Sequence, residues 1–451
     1  MPRLNFYLIL FAILVYALTA SVTLRDRLLI ATLHRIERNA YFEPSAMELF
    51  EGAMTGMTDV LSEEHGDGYT MYIPPSWQTQ YQDNLENRYE GLGISTRIYE
   101  EETEQKLLIN YPFGNSPAYQ TGLRSGDQIV QIDGISVADK THGEMLTLLR
   151  QSKGAETRLS VLPFGQTKPQ DFVVQREKFH YDSVVGDYLD AKDSVFCLED
   201  HPKIGYIWIT SFGESTAKEF SSALERMKQS GAESFILDLR DNPGGDVWNC
   251  VQIARMLLTP NSEQNVIVTV RPRNGSERSR VLTDGSQQCT LPMVVLINGD
   301  SASSSEILAA ALQDHRRATI VGTRSFGKGI IQSIIELPFQ SGMLQLTDAE
   351  YRRPNGGAIH RKMNAADSDD WGVIPDKIVE FSEQEQSAVI QYRSLRSNVI
   401  STERAAVLEH FRQQIVEKQG EEKSFAFTGT APYYDLQIDE AIKVLLAEHD
   451  R

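Results

Sequence analysis

Three short stretches of the chain carry residues that could do covalent chemistry. The first is Ser301-Ala302-Ser303-Ser304-Ser305-Glu306, placed after the apolar run 292–298 and a Gly299-Asp300 turn, and just before the helix-forming run 307–312. A serine cluster therefore stands where a strand passes into a helix. First-turn N–H groups have no acceptor within the helix, and the helix dipole favours negative charge there. An oxyanion formed on a carbonyl under attack would be stabilised at such a point. Capping is also the commonest reason to find serine before a helix, but one cap accounts for one serine only. The second stretch runs from Gly322 to Gly329 and sets Lys328 between Gly327 and Gly329, beside Phe326 and Ile330. Apolar surroundings lower a lysine pKa, and the neutral amine can then accept the proton of a serine hydroxyl. It is not a phosphate-binding loop, because the upstream glycine spacing and the following Ser/Thr are missing. The third stretch, Leu237 to Asp246, is an apolar strand ending in Asn242-Pro243-Gly244-Gly245, a turn that presents further backbone N–H groups.

All three lie in a section, about 180–380, where apolar strands alternate with helices, the pattern of an α/β core. Strands are expected at 204–209, 235–239, 266–270, 293–297, 319–321 and 330–337. Ahead of this section come helical periodicity over 25–65, a break at Gly66-Asp67-Gly68, and short strands from Gly91 to about Arg176. From about residue 382 the chain is polar and helix-prone, with Leu408, Phe411 and Ile415 on one helical face and a packing role expected of it.

The strand-rich section has its own signature: Glu90-Gly91-Leu92-Gly93-Ile94, then Asn115-Ser116-Pro117-Ala118, Gly122-Leu123-Arg124-Ser125-Gly126-Asp127, and Ile129 to Gly134. The last of these is an alternating strand entering an Asp-Gly turn, a hairpin signal, and a helix is expected over 142–150. In this order the segments resemble a PDZ domain. A glycine-rich loop can turn N–H groups toward a terminal carboxylate while the adjacent strand edge pairs with a peptide. Leu92, Gly93 and Ile94 are the candidates for that loop and strand; the plainer alternative is that Gly91 and Gly93 only permit a tight turn. The module could equally act as a regulatory lid.

The serine, lysine and Gly-Gly stretches, with Gln313-Asp314 between serine and lysine and a PDZ-like module ahead, resemble the C-terminal processing peptidases, or tail-specific proteases, over about residues 40–380. That resemblance implies Ser303 as nucleophile, Lys328 as base and Gln332 as the residue that orients the lysine. It implies an oxyanion hole from the N–H groups of Ser304 and Gly245, with Gly244 and Asp314 in supporting places. It further implies protein or peptide substrates with exposed C-termini, a homo-oligomer, in some members an adaptor protein, and no cofactor. The chain departs from the family pattern at Ser304 (usually alanine), at Ser325 (usually threonine) and in a polar insert at about 364–370.

The remaining composition narrows the function. A formal net charge of -18 over 451 residues argues against nucleic acid, which needs a concentrated basic surface. Three widely spaced cysteines form no disulfide framework and no CxxC, and no paired ligands suggest a metal. His315 and His360 fit no triad pattern. Arg3, the apolar run 6–20, and Arg25 with Arg27 read as an export signal or a membrane anchor. The protease would then act outside the cytoplasm, on the periplasmic or extracellular side, or be secreted if the segment is cleaved. The expected organisation is an anchor or signal segment (1–24), a helical segment (25–89), a PDZ-like domain (90–177), a Ser-Lys protease core with crotonase/ClpP-like β-α repeats (178–381) and a helical end that could serve oligomerisation (382–451). Two rival readings are a catalytically inactive PDZ-containing scaffold and a crotonase-like acyl-transfer enzyme. The first leaves a serine, a lysine and a Gly-Gly turn without a task, the second leaves the capture module unexplained.

Overall fold

The computed structural model describes residues 23–101, 104–114, 116–138, 140–151, 156–190, 193–259, 265–273, 279–366, 368–398 and 435–449. The apolar run 6–20 and the face bearing Leu408, Phe411 and Ile415 lie outside the described residues. Among the described residues, no helix is long and apolar enough to cross a membrane. The chain divides into two compact units, residues 1–78 with 332–348, and residues 79–331 with 349–451.

In the first unit the periodic stretch forms two helices, α1 (Leu24–Asn39) and α2 (Ala46–His65), broken where Ser45 starts a capping box with Glu48. No residue of α1 is buried. The short strand Met71–Ile73 pairs antiparallel with Met343 to Gln345, and the Tyr72 hydroxyl donates to the Ser341 carbonyl at 2.7 Å.

In the second unit, strands β1 (Ile94–Glu101), β2 (Glu104–Pro112), β3 (Gln128–Ile132), β4 (Ile135–Ser136), β5 (Glu156–Leu162) and β6 (Gln170–Gln175) form one antiparallel sheet. Its order is β1-β2-β3-β5-β6, with β4 paired to β3 across the Asp133-Gly134 turn. Met145 and Leu149 of α3 (His142–Gln151) share its core with Leu107, Ile109, Ile129 and Val161. Residues Arg88–Gly91 and Glu177–His180 pair antiparallel, so the chain enters and leaves the module on adjacent strands.

The α/β section builds a second sheet, β7 (Val184–Val185), β8 (Ile204–Ile209), β9 (Ser234–Asp238), β10 (Met293–Ile297), β11 (Thr319–Gly322) and β12 (Lys377–Ile378), in that order. From β8 onward neighbouring strands run parallel. Side chains alternate between faces along a strand. Ile207, Leu237, Val295 and Ile320 thus pack with helices α4 (Thr216–Gln229), α5 (Val247–Leu257) and α6 (Ser304–Asp314). Tyr206, Ile236, Leu296 and Val321 pack on the other face with Ala441 and Leu445 of α8 (Leu436–His449). Burial on both faces is why β8 to β10 are unbroken apolar runs. The strand Val266–Pro272, expected in this alternation, instead pairs antiparallel with residues 349–352 and 279–282, because a short apolar run does not specify which sheet accepts it. Helix α7 (Glu383–Asn398) joins the unit too, packing against β2.

Gly93 shows how tightly the module closes. Its φ is +75°, and a Cβ there would sit 2.2 Å from the Ser116 Cβ. The Ser116 hydroxyl donates to the Gly93 carbonyl at 2.9 Å. Gly93→Ala is expected to destabilise the module by about 2 kcal/mol. Hydrogen-exchange protection across β1 and β2 should fall while that of β8 to β11 holds; unchanged protection in β1 and β2 would contradict this role.

Candidate active site

Ser303 sits between β10 and α6 with φ 55° and ψ −114°, a conformation that a serine adopts only under constraint. Nucleophilic serines on other folds occupy similarly sharp strand-to-helix turns. The constraint comes from Glu306, fully buried one helical turn further on. One of its oxygens, Oε2, accepts the backbone N–H of Ser303 at 2.9 Å and that of Lys328 at 2.7 Å. The other, Oε1, accepts the Ser325 hydroxyl and the Gly327 N–H, both at 2.6 Å. Sharing one acceptor oxygen holds the Ser303 and Lys328 nitrogens within about 6 Å of each other. The Phe326 N–H adds a direct bond to the Ser301 carbonyl at 3.0 Å. Burial pushes the Glu306 carboxyl up to about 6, against the opposing pull of its four donors.

The other serines of the cluster tie this turn to the Gly-Gly turn. Ser301 donates to the Leu239 carbonyl (2.8 Å), Ser304 to that of Gly245 (2.9 Å) and Ser305 to that of Asn242 (2.9 Å). The buried Ser304 hydroxyl, where the family pattern has alanine, is thus a staple on the turn. A Cβ on Gly244 would lie 2.7 Å from the Ser303 Cβ, and one on Gly245 would lie 2.0 Å from the Phe212 carbonyl oxygen, so both positions exclude a side chain. The Gly244 carbonyl accepts the Phe212 N–H at 2.9 Å. Across a trans peptide the N–H points opposite to the carbonyl, so the Gly245 N–H is directed away from Phe212. With the first-turn N–H of Ser304 it offers two donors beside Ser303.

This geometry suits acyl transfer by a serine, and relatives of the chain bear the same reading. Over 331 residues it is 33% identical to the carboxyl-terminal-processing protease of Synechocystis sp., covering 72% of each chain. Over 419 residues it is 32% identical to the carboxy-terminal-processing protease of Bartonella bacilliformis, covering 90% of this chain and 84% of that one. The chain belongs to the carboxyl-terminal-processing proteases. The Peptidase family S41 pattern matches residues 203–379 and the PDZ domain pattern residues 114–163, so it is a serine-type protease with a PDZ domain. A solved structure, a candidate S41 protease from Bacteroides fragilis, shares the fold at a TM-score of 0.51 and 16% identity, over 78% of this chain and 87% of that one.

Elsewhere in this processing protease, Asp314 ends α6, about 16 Å along the helix axis from Ser303. It accepts Arg353 Nη2 at 2.7 Å and the Asn355 amide at 3.0 Å, anchoring the return loop. The His315 ring bonds the Val266 carbonyl at 2.8 Å. Gln332 falls in the first unit, where its amide nitrogen donates to Thr347 at 3.2 Å. The three cysteines are buried and unpaired with one another. Glu306 has no role in the sequence reading, although Ser303-x-x-Glu306 has the capping-box spacing that would have singled it out.

Among the described residues, His180, Asp182 and Glu219 could converge on a metal, their ligand atoms all within 4.8 Å of one another. Glu219 is already engaged, however, by His180 at 3.1 Å, by the Ser183 N–H and hydroxyl, both at 2.8 Å, and by the Val184 N–H at 3.2 Å. These groups border a cavity of about 630 Å³, also lined by Phe113, Tyr119 and Arg226, which none of Ser303, Lys328 and Gly245 touches.

The Glu306 carboxyl titrates near 6 when folded and near 4.5 when unfolded, so the folded chain holds its proton to higher pH. The Glu306 contribution to stability is therefore full below pH 4.5 and is lost as pH rises through about 6, by roughly 2 kcal/mol. Urea unfolding across that window should lose this slope in Glu306→Gln. The same variant sets an amide N–H₂ against the surrounding donors and should lower turnover on the order of 100-fold. An unchanged slope would mean that another group carries it.

Proposed function

We propose that this C-terminal processing protease cleaves peptide bonds with a Ser303–Lys328 dyad. The observation that carries the reading is the single Glu306 oxygen that binds the Ser303 and Lys328 N–H groups together. Ser303 Oγ attacks the scissile carbonyl carbon as the Lys328 amine takes its proton. The N–H groups of Gly245 and Ser304 hold the oxyanion, with Gly244 leaving room for it. Collapse breaks the C–N bond, and Lys328 returns the proton to the departing amine. Lys328 then deprotonates a water that attacks the acyl-enzyme and frees Ser303. Gln332 keeps the lysine-orienting place that the family pattern assigns it, and Asp314 supports the site through its ties to Arg353 and Asn355.

The substrate is a protein whose C-terminal end enters the PDZ domain along Leu92, Gly93 and Ile94. In support, β1, which begins at Ile94, pairs with β2 alone among the described strands, leaving its other edge for a peptide. Successive strand–helix units, β8 with α4, β9 with α5 and β10 with α6, support a crotonase/ClpP-like core. Arginines at 3, 25 and 27 around the apolar run 6–20 support export, with an N-terminal anchor or cleaved signal and a protease outside the cytoplasm. The apolar residues Leu28, Leu29 and Ile30 exposed on α1 support a homo-oligomer. An adaptor protein is the further partner in this reading.

The test is cleavage of an unfolded protein with an apolar C-terminal tail. Ser303→Ala should lower turnover about a million-fold and Lys328→Ala about a thousand-fold. Ser304→Ala, which removes one hydrogen bond worth about 1 kcal/mol, should cost less than about tenfold. Full activity in Lys328→Ala would remove the dyad, while loss in Ser304→Ala with retention in Ser303→Ala would move the nucleophile by one residue.

A further inference from the structure

Arg393 of α7 lies beyond the end of the S41 match at residue 379, and only 5% of it is exposed. Its guanidinium stacks over the Trp208 ring at 4.2 Å. Nη1 donates to Asp238 at 3.1 Å, and Nη2 donates to Asp241. Asp241 opens the Gly-Gly turn in a left-handed conformation, φ 59°. Its N–H donates to Asn298 Oδ1 at 2.9 Å, and its carboxylate accepts Asn298 Nδ2 at 2.8 Å. Asn298 in turn accepts the N–H of Asp300 at 3.2 Å and donates its own N–H to Ser301 at 3.0 Å, in the loop that leads to Ser303. One guanidinium on α7 therefore grips the strained residue from which both the oxyanion turn and the nucleophile loop are hung.

We infer that Arg393 is a positioning residue for catalysis, holding Asp241 so that the Gly244-Gly245 turn and the Ser303 turn keep their mutual geometry. The inference rests on the active-site reading above. A planar, two-pronged cation is what the position requires, because it spans two carboxylates and lies flat on an indole. Without it, Asp238 keeps Arg240, which donates through Nη2 at 2.6 Å, whereas Asp241 keeps no cation among the described ion pairs. The Asp241 carboxylate would then rearrange toward water and carry the turn with it.

A purely structural role and a positioning role are separable on the same helix. Arg396, three residues on, pairs with Asp187 at 2.6 Å and touches neither turn. The full-length chain is assayed on the unfolded, tail-bearing protein as Arg393→Met, Arg393→Lys, Arg396→Met, Asp241→Asn and Ser303→Ala, with melting temperatures recorded alongside. Arg393→Met should lower kcat about 100-fold with KM within about twofold. Arg393→Lys should recover only part of this, because an ammonium cannot span both carboxylates. Arg396→Met should lower the melting temperature comparably and leave kcat within about threefold. Combining Arg393→Met with Asp241→Asn should cost little more than either alone, as for residues acting as a unit. Equal kcat losses in the two arginine variants, or wild-type kcat in Arg393→Met with Ser303→Ala inert, would overturn the inference. Activity in Ser303→Ala would instead overturn the nucleophile assignment, and a fall in kcat confined to Arg393→Met would still place Arg393 in control of turnover.

Discussion

A single buried carboxylate holds the Ser303 and Lys328 loops of this protease together. Glu306 accepts hydrogen bonds from Ser303, Ser325, Gly327 and Lys328, and an ionised carboxylate has room for all four. Bonds to a charged acceptor are worth roughly twice neutral ones; they offset part of the cost of burying the charge, although burial still raises the carboxyl, and they keep a serine at positive φ. The loop carrying Ser303 and the loop carrying Lys328 thereby become one piece. Neutralising the carboxyl turns one acceptor lone pair into a donor, so the geometry of the site is coupled to the proton on a residue that does no chemistry itself.

The second constraint works from beneath. The strand end of β9 delivers Asp238, Arg240 and Asp241 into the turn, and all three are charged. Burial alone would raise the Asp238 carboxyl, yet Arg240, Arg393 and the Tyr206 hydroxyl hold it below the usual carboxylate range. Arg240 is shared with Asp435, at 2.8 Å. Buried charges are tolerable only when each finds partners of good geometry, and here two helices after residue 380 complete the set. The serines Ser301, Ser304 and Ser305 then fasten the turn to the start of α6 by one hydroxyl each. Buried ion pairs and serine hydroxyls together fix a turn whose own glycines impose no stiffness.

Much of this was legible beforehand, for a local reason. Continuous apolar runs mark strands covered on both faces, and β8, β9, β10 and β11 fall within a residue of where the pattern sets them. The Asp-Gly hairpin and the helix at 142–151 follow from turn chemistry and helical spacing. The strand at 266–272 shows the limit, since a short apolar run does not say which sheet will accept it. The idle serines of the run were readable as a cluster but not as staples, because their acceptors are carbonyls about 60 residues away in sequence.

What the amino-acid sequence by itself determined is the set of chemical parts: a serine at a helix start, a lysine between glycines, a Gly-Gly turn, and a PDZ domain ahead of them. Each is built from short segments within which strand, turn and cap rules act, the PDZ domain from several of them in order. Only the tertiary structure decided what holds the parts in register: Glu306 on two loops, Ser304 on Gly245, and Arg393 on Asp241. Those partners meet through sheet pairing and helix docking, and a buried donor takes whichever acceptor the fold brings to it.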